Sequence, residues 1–115
     1  MNLESGAVER LVRLGGRQLA AQILDFFAES TPSRIAALRD GWDRSDLGSI
    51  ERTAHSLKTS AGNIGAHPIQ ELAATIERLA SERRSSRLSS LIDEIQRAYE
   101  AVGPAIQEAR EAQRD

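Results

Sequence analysis

Apolar residues recur along most of the chain at the three-and-four spacing that keeps one side of a helix buried. Leu3, Ala7, Val8, Leu11 and Leu14 mark a short first helix over residues 3–14. Gly15-Gly16 ends it, because glycine takes the left-handed conformation that a helix stop often requires. The longest pattern runs from Arg17 to about Arg44, through Leu19, Ala20, Ile23, Leu24, Phe26, Phe27, Ile35, Leu38 and Trp42. Thr31-Pro32 interrupts it with an N-cap and first-turn signature. Yet Phe27, Ile35, Leu38 and Trp42 stay within about 80° of one another if the helix is continued. The spacing therefore predicts a kinked or briefly broken helix that keeps its buried face. Phe26 and Phe27 are both assigned to the core, and Trp42 to its edge.

Asp46 is the expected N-cap of the next helix, which runs to about Asn63 with Leu47, Ile50, Ala54, Leu57 and Ala61 inward. Gly62, Gly65 and Pro68 break it, and His67, ahead of the proline, is expected in an exposed turn. Pro68 opens a third helix with Ile69, Leu72, Ala73, Ile76, Leu79 and Ala80 as its inner face. The arginines of the 81–87 turn read as solvated. The last helix begins near Ser86 and keeps its phase from Leu88 to Ala109, through Gly103-Pro104, with fraying expected beyond about Arg110. No strand pattern, repeat or linker interrupts the sequence. The expected fold is all-α: an antiparallel up-down-up-down four-helix bundle with a short additional N-terminal helix, one domain over residues 1–115.

Composition fits that picture. In 115 residues, hydrophobic side chains make up 40% but aromatics only 3%, so the core must be aliphatic. A net charge of −2 gives no reason to expect a nucleic acid partner. Cysteine is absent, which removes disulfides and thiolate metal sites. No apolar run approaches the roughly 18 residues of a membrane span, and the N-terminus lacks a signal-peptide core. A cytoplasmic protein is expected. No exposed heptad seam suggests a dimer, so a monomer is the default.

The candidate chemistry lies on the second helix. His55 falls about 120° from the middle of the buried stripe, so its ring points outward or along the rim. A neutral imidazole has a free ring nitrogen and an ordinary pKa near ~6.5, which suits a nucleophile at neutral pH. Lys58 lies about 60° round the helix and can neutralise charge placed on that nitrogen. Thr59, Ser60 and Gly62 are small and leave the surround low. Such a set suits phosphoryl transfer, where the protein's contribution is positioning and charge stabilisation. Glu51, one turn earlier, is a candidate for orienting the ring through opposite charge. Arg52 joins Lys58, Thr59 and Gly62 as a candidate docking position.

Ala54-His55-x-Leu57-Lys58, closed by Ile64-Gly65-Ala66, resembles the signature of the histidine-containing phosphotransfer (HPt) domains of two-component phosphorelays. The likeness extends over most of the chain: Leu-x-x-Leu-Gly-Gly near the start, Phe-Phe then Thr-Pro, and Leu-x-x-Leu-x-x-x-Ile-Glu after the motif. Thr59 stands where that family most often has glycine. The resemblance implies that His55 carries the phosphoryl group and Lys58 assists. It also implies that a polar residue of the third helix hydrogen-bonds the ring, with Glu77 the nearest match and Gln70 a weaker one. Partners would be receiver domains of response regulators or of a hybrid sensor histidine kinase, which bring the aspartyl phosphate and its divalent metal. No cofactor of the chain's own is expected. With no nucleotide loop or Asp-rich magnesium site, the protein would be a stoichiometric carrier and not a kinase.

Two rival readings follow from other classes. One is an interaction module of the same fold that never carries phosphate; the presence of both His55 and Lys58 weighs against it. The other is a metal site built from Glu51, His55 and His67, which lacks the paired Glu-x-x-His sequences of bundle di-metal centres.

Overall fold

A computed structural model describes residues 1–114. The helices are α1 (Ala7–Asp43), α2 (Leu47–Asn63), α3 (His67–Ser81) and α4 (Leu88–Ala112). Among the described residues there is no strand, and no helix is long and apolar enough to cross a membrane. The linkers spanning 44–46 and 64–66 reach at most about 11 Å, whereas a helix the length of α2 is about 25 Å long. Helices packed side by side across linkers this short fit an up-down arrangement. α1 packs on α2, α2 on α3 and α3 on α4, and α4 closes the ring against α1.

Each apolar stripe faces the same interior. Leu24, Phe27, Ile35 and Leu38 meet Ile50 and Leu57, Ile69 and Ile76, and Leu88, Ile92 and Ile95 in one aliphatic core. Gly41 lets the first turn close, since a Cβ there would stand 2.8 Å from Ile50 Cγ1. Asp46 caps α2 as expected, its carboxylate accepting from the Ser49 N–H at 3.0 Å.

The expected stop at Gly15-Gly16 is only a joint. Gly16 (φ 82°, ψ 176°) is the sole non-helical residue inside α1, and residues 7–15 form the additional N-terminal piece. Ala7 and Leu11 of this piece are buried, but Leu14 is 75% exposed, contrary to its placement on the inner face. The segment before it is clipped to the α2–α3 turn: the Glu4 N–H donates to the Gly65 carbonyl at 2.8 Å. Gly65 (φ +72°) is required here twice over, because a Cβ would also lie 2.8 Å from the Glu4 nitrogen.

Pro32 sits inside a continuous helix, so Thr31 is no N-cap. Its buried hydroxyl donates to the Phe27 carbonyl at 2.6 Å. Pro32 has no N–H for the Ala28 carbonyl, four residues before it. Tyr99 on α4 takes that place, its hydroxyl donating to Ala28 O at 3.0 Å. Burial pushes the Tyr99 phenol above its ordinary value, with Arg110 opposing, so the hydroxyl stays a donor. The helix flaw and the inter-helix tie are thus one feature.

Gly103-Pro104 likewise lies within continuous α4, and that helix starts at Leu88, slightly later than expected. It continues to Ala112, past the point of expected fraying, where Arg17 donates to the Ala112 carbonyl at 2.8 Å and to that of Arg114 at 3.0 Å. Asp115 lies outside the described residues. His67 is the first residue of α3 and not a turn residue. Its ring meets Gln70 Oε1 (3.0 Å) and Glu4 Oε2 (3.3 Å).

Candidate functional site

Because Ile50, Ala54, Leu57 and Ala61 fix which side of α2 is buried, His55 is turned to the surface, its side chain 61% exposed. Lys58 lies one turn on, and α3 brings Glu77 alongside. Glu77 bridges the two: Oε2 is 2.7 Å from His55 Nδ1, and Oε1 accepts from Lys58 Nζ at 2.5 Å. The Lys58 ammonium holds the Glu77 carboxyl below the ordinary carboxylate value; partial burial opposes this and the His55 contact adds to it. An ionised carboxylate can only accept, so in this contact Nδ1 carries the proton. In the neutral ring Nε2 then keeps its lone pair, away from Glu77.

The residues singled out from sequence are not all equal partners here. His55, Lys58 and Glu77 converge. Glu51 does not hold the ring; it lies with Arg52 and Ser56 in a shallow cleft of about 450 Å³ next to His55. Thr59 donates its hydroxyl to the His55 carbonyl at 3.2 Å and lines the opposite side. Gly62 departs furthest from expectation. A Cβ there would meet Gln70 Nε2 at 2.8 Å, so the space beside this glycine is taken by the Gln70 side chain of α3. Gln70, the weaker candidate for the ring's partner, reaches His67 instead.

Across His55 from Glu77 runs an open groove between α1 and α2, about 500 Å³, lined among others by Ile23, Phe26, Arg34, Thr59 and Ser60. Phe26 is 54% exposed there, a correction to its assignment to the core, whereas Phe27 is fully buried. The register held the signal: Leu24, Phe27, Thr31, Ile35 and Leu38 keep the three-and-four spacing, and Phe26 stands about 140° from the middle of that stripe. Arg34 escaped the sequence reading altogether, since nothing local places it beside a histidine 21 positions later. No three His, Cys, Asp or Glu side chains come together as a metal site among the described residues, and His55 and His67 have separate partners.

Similarity to known proteins bears on this geometry. The crystal structure of histidine-containing phosphotransfer protein B (HptB) from Pseudomonas aeruginosa PAO1 superposes with a TM-score of 0.90, at 22% sequence identity, over 98% of this chain and 97% of that one. That likeness establishes a shared all-helical fold. No curated protein sequence matches. The family model described as the Hpt domain matches residues 22–105, a span holding the His55–Lys58–Glu77 cluster and most of the bundle, and the chain therefore belongs to the Hpt domain family.

Proposed function

We propose that this protein is a phosphorelay intermediate: His55 accepts a phosphoryl group from a receiver-domain aspartyl phosphate and passes it to another receiver's aspartate. Family membership supports a histidine phosphotransfer role. One observation carries the assignment of the residue: an exposed imidazole whose Nδ1 is tied to a carboxylate while Nε2 is left free.

The transfer is a direct displacement. The Nε2 lone pair attacks phosphorus, an N–P bond forms, and the P–O bond to the aspartyl carboxylate breaks, the carboxylate leaving with its electron pair. The ring, now bonded at Nε2 and still protonated at Nδ1, gains positive charge. Glu77 stands against that proton and offsets the charge as it develops, and it fixes the ring's orientation before attack. Lys58 anchors Glu77 with one of its three donors and keeps positive charge beside the incoming phosphoryl oxygens. Onward transfer is the reverse displacement by a second aspartate. The divalent metal belongs to the receiver's site. The protein acts stoichiometrically, as a monomer in the cytoplasm; its large exposed apolar side chains, Met1, Leu14, Phe26 and Trp42, are scattered along the chain.

Incubation with phosphorylated receiver domains tests the proposal. Acid-labile label is expected on the wild type and absent from His55→Gln. Label on both, or on neither, overturns it.

A further inference from the structure

On the α1 side of His55 the guanidinium of Arg34 is held at two points. Nη1 donates to Ser60 Oγ at 2.9 Å, and Cζ lies 5.2 Å over the Phe26 ring centroid. Elsewhere on the protein Arg39, Arg44 and Arg110 each meet a carboxylate within 2.8 Å. Among the described residues Arg34 meets only a hydroxyl and an aromatic face, so its charge is oriented but not neutralised. On the other flank Lys58 is already matched by Glu77. The groove beside the candidate phosphoryl acceptor thus presents one fixed, uncompensated cation above an apolar floor of Ile23 and Phe26.

We propose that Arg34 is a specificity-determining residue for phosphoryl transfer. It selects receiver domains that place a carboxylate in the α1–α2 groove, next to an apolar side chain that covers Phe26 and Ile23. The inference rests on the phosphotransfer reading above and deepens it.

A guanidinium is a rigid fork of five donors; with one occupied by Ser60, the outward pair matches a carboxylate in two-point geometry. Being held in advance, Arg34 loses little further freedom when a partner binds. Arginine and exposed aromatic side chains are also the types that dominate interface energetics. Ser60 follows His55 by five residues on one helix, so the anchor lies about 7.5 Å along the axis from the acceptor. That fixed offset sets where a receiver's carboxylate must stand relative to its phosphorylated aspartate. A receiver with lysine there meets like charge and is rejected.

The test is single-turnover transfer from receiver domains phosphorylated with acetyl phosphate, at varied receiver concentration. For receivers that transfer to the wild type, Arg34→Gln is expected to raise the half-saturating concentration about tenfold. The limiting rate should move far less, and added NaCl should weaken the wild type more than the variant. Arg34→Glu should be rescued by one acid-to-lysine change in a scan of the receiver's docking face. Should Arg34→Gln lose its helical circular dichroism, Arg34→Lys carries the test, since it keeps charge but loses the fork and is expected to raise the half-saturating concentration about threefold. Half-saturation equal to wild type in the folded variant, for every receiver that transfers, overturns the inference alone. A wild type that accepts label from no receiver overturns the underlying phosphotransfer reading, and this inference with it.

Discussion

Glu77→Gln isolates the contribution of one carboxylate oxygen pair at nearly constant shape. In the wild type, two cationic or proton-bearing groups converge on it, His55 Nδ1 at 2.7 Å and Lys58 Nζ at 2.5 Å. A glutamine offers one carbonyl oxygen, so it can accept from one of the two and must turn its NH₂ toward the other. The magnitude follows from Coulomb's law. Charges about 4 Å apart interact by about 1 kcal/mol in water and about 4 kcal/mol at an effective dielectric of 20. The His55 side chain is 61% exposed and that of Glu77 21%, which places the pair toward the watery end. A loss of roughly 1–2 kcal/mol of stabilisation for the positive ring is expected, or a transfer rate about 5–30-fold slower at saturating receiver.

Rapid-quench single-turnover assays measure that rate, and ¹⁵N spectra of the imidazole report the tautomer, which should lose its Nδ1–H bias in the variant. Stability moves in a defined window. A carboxyl held below its ordinary value stabilises the fold above the ordinary carboxylate range, and that contribution disappears as pH falls through the lowered value. The unfolding-midpoint difference between wild type and Glu77→Gln should therefore be largest near neutral pH and vanish in acid. Transfer unchanged within twofold, with the tautomer unaltered, would refute the reasoning.

Two further perturbations address the scaffold. Tyr99→Phe removes the donor that replaces the missing Pro32 N–H and leaves the Ala28 carbonyl unpaired; urea unfolding should show a loss of about 1–3 kcal/mol, and an unchanged midpoint would mean that water serves as well. Phe27→Ala should cost about 3–5 kcal/mol, whereas Phe26→Ala, one position earlier on the exposed groove, should cost under about 1 kcal/mol. Equal losses at the two sites would contradict the helix register.

The bundle was legible because its signals are local. The Asp46 cap is written in a single turn, and the apolar stripes of α2, α3 and α4 need only their own spacing. Sequence and structure part where register and apolarity disagree, or where a second element decides the outcome. Phe26 is as apolar as Phe27 but stands about 140° from the middle of the stripe. Gly62 reads locally as clearance for a partner, yet Gln70 on α3 occupies the space. Thr31-Pro32 has the form of a helix start; Tyr99, 67 residues later in the chain, makes the interior proline tolerable. The outward setting of His55 followed from the α2 pattern, but its ring partner did not. Glu51 shares its helix, and only the packing of α3 shows that Glu77 takes Nδ1. Resemblance to the HPt domains suggested Glu77 where spacing alone could not.

The central claim concerns one atom. After incubation with a phosphorylated receiver domain, ³¹P–¹⁵N correlation spectra of protein carrying ¹⁵N-labelled histidine identify the nitrogen bonded to phosphorus. The account predicts a single signal at Nε2 of His55, with Nδ1 still facing Glu77. Phosphorus bonded to Nδ1 of His55 or to His67, or a His55 without phosphorus once the receiver has lost its phosphoryl group to this chain, would contradict it.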